Sequence, residues 1–219
     1  MSSTHASTKS PVPPTVRLGV DGGNPVGTGL LLVLSGPSGV GKDTVWKRAA
    51  PCLPSFRKAV TCTTRAQREG ETHGMNYYFV SDSEFDRLIA EDQLLEWAHV
   101  HGFRYGIPAG PVLEALNSGN DIICVIDVQG AQRVKSLFPT AILVFLTPPE
   151  VQILEQRIID RDSEIDRKEL QDRLARVQWE MEHIPLYDHT IVNDTVEHAA
   201  KELCEVVARE KKKRGEVVR

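Results

Sequence analysis

Residues Gly36-Pro37-Ser38-Gly39-Val40-Gly41-Lys42-Asp43 follow directly on the apolar run Leu30-Leu31-Leu32-Val33-Leu34. A buried strand that opens into a glycine-rich loop and then a helix leaves few folds available. The pattern is one residue short of the phosphate loop G-x-x-x-x-G-K-[ST]. Its glycines let consecutive backbone N–H groups converge on one point as an anion nest. The helix that follows turns its positive end toward the same point. Lys42 adds a point charge for outer phosphates. Asp43 stands where a Ser or Thr hydroxyl normally meets Mg²⁺. The bland alternative, a turn that binds nothing, fits this strand–loop–helix setting less well.

The chain has 219 residues, 41% hydrophobic and 26% charged, which suits one globular domain with a sizeable core. A net charge of -4 argues against bulk nucleic-acid or acidic-membrane binding. An anionic ligand must then be held by local cations. No apolar run approaches the ~20 residues that span a bilayer. No secretory signal pattern is read, and the expected compartment is the cytoplasm. Cys52, Cys62, Cys124 and Cys204 are scattered without a C-x-x-C pair. They are expected as buried or partly buried free thiols of a reducing compartment. Residues 1–29 are rich in Ser, Thr, Pro and Gly and read as a disordered tail. The sharper alternative is an organellar transit peptide.

Strand and helix patterns alternate along the rest. Leu30–Leu34, Ile122–Ile126, Ala141–Leu146 and Thr190–Val192 read as strands. Arg57–Thr63 and Tyr77–Val80 read as extended. Helices are expected from Lys42 to Pro51, after the capping box Ser81-Asp82-Ser83-Glu84, over Pro108–Asn117, Ala131–Leu137 and Val151–Ile159, up to Ile184, and at the C-terminus. Such alternation predicts a parallel sheet with helices on both faces, and ligands at the carboxyl ends of its strands. Ser35–Lys42, Asp127–Gly130 and Asn193 all fall just past apolar strands, so they are expected along one crevice. The polar and aromatic segment from Thr61 to Pro108 reads as an insertion over it.

A second cluster is Thr61-Cys62-Thr63-Thr64-Arg65-Ala66-Gln67-Arg68. Two arginines three apart beside hydroxyls make a phosphate clamp, though an exposed loop of this kind is usually only solvated. Glu96 lies within Leu94-Leu95-Glu96-Trp97-Ala98, where a carboxylate needs a partner. By itself that partner would be an arginine.

Taken together, Gly36–Lys42, Thr63-Thr64-Arg65 with Arg68, Gly74 before Tyr77, Leu95-Glu96-Trp97-Ala98, Tyr105-Gly106, Asp127-Val128-Gln129-Gly130 and Ile191-Val192-Asn193-Asp194 resemble the guanylate kinase family. These enzymes move a phosphoryl group from ATP to GMP. The resemblance covers residues 30–210. It implies an α/β fold: a phosphate-loop parallel sheet flanked by helices, an inserted small mixed-sheet GMP-binding region, and a helical lid. The implied domain runs over 30–215, with the phosphate-loop core at 30–60, the GMP insertion at 61–108 and the lid at 157–173.

The resemblance also implies roles. Gly36, Pro37, Ser38, Gly39, Val40, Gly41, Lys42, Asp43 and Thr44 would hold ATP, with Asn193 near its adenine. Thr61 would touch guanine O6, and Glu96 would accept the N1 and 2-amino protons that guanine offers and adenine lacks. Arg65, Arg68, Tyr77 and Tyr105 would grip the GMP phosphate. Asp127 would stand beside both substrates. Lys42, Arg65, Arg157, Arg161 and Arg173 would neutralise the moving phosphoryl, with Asp127 in support. Mg²⁺ would come with ATP, and Asp43 is the candidate ligand. The expected partners are these nucleotides, with no nucleic acid and no membrane, in a monomer or homodimer.

Four positions depart from the family pattern. Asp43 replaces the hydroxyl. Val125 replaces an acid, Ile107 replaces a Ser or Thr, and one extra residue separates Arg161 from Arg173, where Arg167 is an alternative arginine. Two other readings compete. A non-catalytic guanylate kinase-like binding module would typically lack the phosphate-loop lysine and the lid arginines. A kinase of ribose bisphosphate would share Asp43 but not need Glu96.

Overall fold

The computed structural model describes residues 29–100, 102–161 and 167–215. The expected tail, but for its last residue, and residues 162–166 of the lid lie outside this description. In chain order the elements are β1 (Leu31–Ser35), α1 (Lys42–Ala49), β2 (Phe56–Lys58), β3 (Cys62–Thr63), β4 (Tyr78–Phe79), α2 (Asp82–Ala90), β5 (Leu94–Val100), β6 (Phe103–Pro108), α3 (Ala109–Asn117) and β7 (Asp121–Val125). Then follow α4 (Val128–Leu137), β8 (Ile142–Thr147), α5 (Val151–Arg161), α6 (Arg167–Glu182), β9 (His189–Val192) and α7 (Val196–Lys213). The chain divides into two compact units, one formed by residues 30–58 and 120 onward, the other by Ala59–Gly119.

The first unit carries a parallel sheet in the order β2-β7-β1-β8-β9. All five residues of β1 are buried, as a central parallel strand covered on both faces requires. Val33 pairs with Cys124 on one side and Leu143 on the other. Val45, Trp46 and Ala49 of α1 join Ala199, Leu203 and Val206 of α7 in the core over this sheet. Asp121 ties the strand starts together. Its carboxylate is buried and accepts from the Leu30 amide at 3.0 Å and the Ser55 hydroxyl at 2.7 Å, and it pairs with Lys211.

The second unit holds a mixed sheet in the order β4-β3-β6-β5. β3 runs parallel to β4, and β5 and β6 form an antiparallel hairpin. Phe85 and Leu88 of α2 pack on Cys62, Val80 and Leu94.

Three expectations are corrected. Arg57–Thr63 is not one extended run: Phe56–Lys58 pairs with β7 in one sheet, and Cys62–Thr63 pairs with β4 and β6 in the other. Apolar patterning marks extended chain but not the point where it changes sheets. The capping box at α2 is half formed. Ser81 accepts from the Glu84 amide, but the Glu84 carboxylate turns to Arg87. Finally, the cysteines are not all free. Cys52 and Cys204 form a disulfide with Cα atoms 6.5 Å apart, because α7 packs beside α1; Cys62 and Cys124 are buried thiols outside any disulfide.

Candidate active site

The loop after β1 is shaped by its glycines. Gly36, Gly39 and Gly41 have φ of 143°, 80° and 100°, values that side chains rarely tolerate. Ser81, Asp127 and Thr195 cap α2, α4 and α7 with side-chain oxygens. Gly41 starts α1 and offers no such oxygen. The first-turn N–H groups of α1 are thus left for an external anion. Lys42 folds back, donating to the Gly36 carbonyl at 2.6 Å and the Pro37 carbonyl at 3.1 Å. Burial lowers its pKa, while Glu180, Asp127 and Asp43 act to keep it charged.

Asp43 and Thr44 are exposed at the start of α1. The Asp43 carboxylate is held by Lys58 of β2. This cation offsets the charge that Asp43 brings in place of a hydroxyl. A carboxylate oxygen fits a hard divalent ion, but the described residues contain no group of three or more acidic, His or Cys side chains that could hold one.

Asp127 follows β7, as expected. One oxygen caps α4 through the Gly130 amide at 2.9 Å, and the other accepts from Arg176 at 3.1 Å. Asn193, expected near the adenine, is buried and gives its amide to the Val40 carbonyl at 2.7 Å. It braces the loop. Arg157 and Arg161 fall on α5, one turn apart, and their side chains lie outside the description. Arg173 of α6 pairs with Glu169. The sequence reading missed Arg176 and Glu180, which stand with Lys42 and Asp127. The available signal was spacing: Glu180 lies three residues after the buried Val177, on the apolar side of α6.

In the second unit the GMP candidates gather on the mixed sheet. The Arg65 guanidinium pairs with Glu71 at 2.6 Å, donates to the Ala66 carbonyl and stacks over the Tyr77 ring at 5.4 Å. Its hydrogen bonds to Glu71 and then Tyr105 raise its pKa, and that of Glu71 is lowered in return. The Tyr77 and Tyr105 rings meet edge to face. Arg68 is exposed, and its amide donates to Glu71. The Thr61 carbonyl accepts from the Tyr78 amide, which sets the register of this loop on β4.

Glu96 is 6% exposed on β5. A register shift between Leu94 and Glu96 turns three consecutive side chains inward, which regular alternation forbids. Gly106 lies alongside, where a Cβ would meet the Glu96 carbonyl oxygen at 2.9 Å. Only glycine admits the bulged strand so closely. Ile107, where a hydroxyl residue was usual, is buried core, and Val125 packs partly buried on the core of its own unit.

The sequence model described as guanylate kinase matches residues 29–210. The chain belongs to the guanylate kinase family. It is 40% identical over 186 residues to a guanylate kinase of Carboxydothermus hydrogenoformans, covering 84% of this chain and 90% of that one. It is 44% identical over 194 residues to that of Streptomyces coelicolor, covering 89% and 92%. The crystal structure of guanylate kinase from Anaplasma phagocytophilum matches with a TM-score of 0.65 at 30% identity, covering 84% of this chain and 87% of that one. Among the described residues, no helix is long and apolar enough to cross a membrane.

Proposed function

We propose that this guanylate kinase family member transfers the terminal phosphoryl group of ATP to GMP, giving ADP and GDP. The observation that carries the acceptor choice is the carboxylate of Glu96, buried on a bulged strand of the unit that also holds the Arg65, Tyr77 and Tyr105 cluster. A buried acceptor pair suits the N1–H and 2-amino donors of guanine and repels the bare N1 of adenine. Thr61, whose carbonyl is held by the Tyr78 amide, offers its hydroxyl to guanine O6. Arg65 and Arg68, with Tyr77 and Tyr105, grip the phosphate of GMP.

ATP phosphates sit in the nest formed by residues 36–44, where Lys42 meets the outer oxygens. Arg157, Arg161 and Arg173 neutralise charge as the phosphoryl moves. Asp127, fixed as a helix cap, orients the cations around it. Mg²⁺ carried by ATP supplies charge neutralisation and alignment of the phosphates, with Asp43 offering an oxygen to it. The cytoplasm remains the proposed compartment, a reading that the Cys52–Cys204 disulfide counts against, since such bridges are rare where thiols are kept reduced.

The test is ADP production from ATP and Mg²⁺ with GMP, dGMP, AMP, CMP, UMP and ribose 1,5-bisphosphate offered separately. Turnover confined to the guanine nucleotides is expected. Turnover with the sugar bisphosphate alone would move the chain to that kinase class. A folded protein inert toward all six would make it a binding module.

A further inference from the structure

Arg176 and Glu180 have no part in the assignments above. With Arg173 they occupy positions three and seven residues apart on α6, which places all three on one stripe of the helix. Arg176 Nη2 donates to Asp127 Oδ2 at 3.1 Å, and its Nε stands 3.7 Å from Glu180 Oε1. Both carboxylates are fixed. Asp127 is pinned by its cap to Gly130. Glu180 is 2% exposed and has an Oε2 with no hydrogen-bond partner among the described residues.

An ordinary helical ion pair accounts for the contact with Glu180. It does not account for Asp127, which comes from another element. Nor does it explain why a second cation lies close enough to Lys42 to oppose its charge. Two cations gathered beside one anion nest repel each other until an anion of high charge arrives. The guanidinium has five donors in a fork that matches phosphate oxygens. The Arg176 side chain is also about half exposed, so it is free to turn.

We propose that Arg176 is a further phosphate-contacting residue of the transfer reaction, held on Asp127 and Glu180 until nucleotide phosphates fill the nest and draw it across. The proposal rests on the phosphoryl-transfer reading. The ion pair then does more than lock α6. It exchanges two protein carboxylates for phosphate oxygens, so that Arg176 reaches the charge that develops on the phosphoryl.

The experiment compares Arg176→Gln and Arg176→Lys with the wild type in kcat, KM for GMP, melting temperature, and ATP affinity by calorimetry without acceptor. Arg176→Gln is expected to lower kcat roughly 10²-fold. It should weaken ATP binding about tenfold, with KM for GMP within about twofold, since uniform binding of the acceptor is untouched. Its melting temperature should fall modestly: the half-exposed contact with Asp127 adds little, while buried Glu180 loses its neighbouring cation. Arg176→Lys should recover part of kcat. An Arg176→Gln protein with near wild-type kcat and ATP affinity overturns the proposal. So does a loss that follows melting temperature in both variants. If Arg176→Gln fails to fold, Arg176→Lys decides: a lower kcat at unchanged melting temperature supports the contact, and unchanged kcat sinks it. ATP affinity is read without GMP, so a wild type inert toward GMP overturns the acceptor reading while Arg176 is still tested.

Discussion

A Cβ on Gly36 would stand 2.1 Å from the carbonyl oxygen of Leu146. The phosphate loop therefore leaves β1 pressed against the backbone of β8, and no rotamer relieves the contact. Gly36 also has φ of 143°, outside the range of L side chains.

Gly36→Ala is expected to lose about 2–4 kcal/mol of stability, read by urea unfolding, together with ATP affinity. Wild-type unfolding with wild-type ATP binding would mean that the loop tolerates displacement from β8.

Glu96→Gln keeps the shape of the side chain and removes its charge. The kcat/KM for GMP should fall roughly 10²–10³-fold, since a guanine donor then faces an amide NH₂. KM for ATP should hold, and discrimination against AMP should narrow. Steady-state rates with GMP and AMP check this, and unchanged selectivity would remove Glu96 from base recognition.

The cysteine state can be counted. Burial, and then the nearby Glu96, pushes the Cys62 thiol up to about 12. Roughly one molecule in 10⁴ then carries the thiolate at pH 8, so Cys62 should react slowly with a thiol reagent in the native protein. Unfolding without reductant should expose Cys62 and Cys124, and reductant should add Cys52 and Cys204. Reduction should also lower stability by about 2–5 kcal/mol, because the bridge spans 152 residues of sequence. Four reactive thiols in unreduced, unfolded protein would contradict the pairing.

The Asp194–His198 pair gives a pH signature at the start of α7. The His198 pKa is raised by its hydrogen bond to Asp194, and that of Asp194 is lowered by His198. A raised histidine stabilises the fold below its ordinary pKa and loses that contribution as pH rises through the folded value. A lowered carboxylate keeps its contribution until pH falls through the folded value. His198→Gln should therefore lower the melting temperature at pH 5.5 and converge with wild type above pH 8. Both groups are exposed, so the difference should be small. A gap that widens at high pH would reverse the assignment.

Much of the fold was legible along the chain. The apolar runs of β1, β7 and β8 are continuous because both faces of a parallel sheet are covered. The phosphate loop declared itself through glycines that only particular backbone angles require. Glu96 was visible as a carboxylate among apolar neighbours. The bulge that turns it inward was not, since it depends on how β5 registers against β6.

Arg176 and Asn193 mark the limit. Neither breaks a local pattern: one is a charged residue on an amphipathic helix, the other a polar residue after a strand. Their partners, Asp127 and Val40, are 49 and 153 residues away. The disulfide joins positions 152 apart in the same way. By itself the sequence determined the alternation of elements, the anion nest and the chemistry available at each position, because periodicity, caps and glycine angles act within a few residues. Tertiary structure alone decided which cation meets which carboxylate, where the chain changes sheets and which cysteines join. Those contacts exist only once distant segments pack, and local sequence does not encode the packing distance between them.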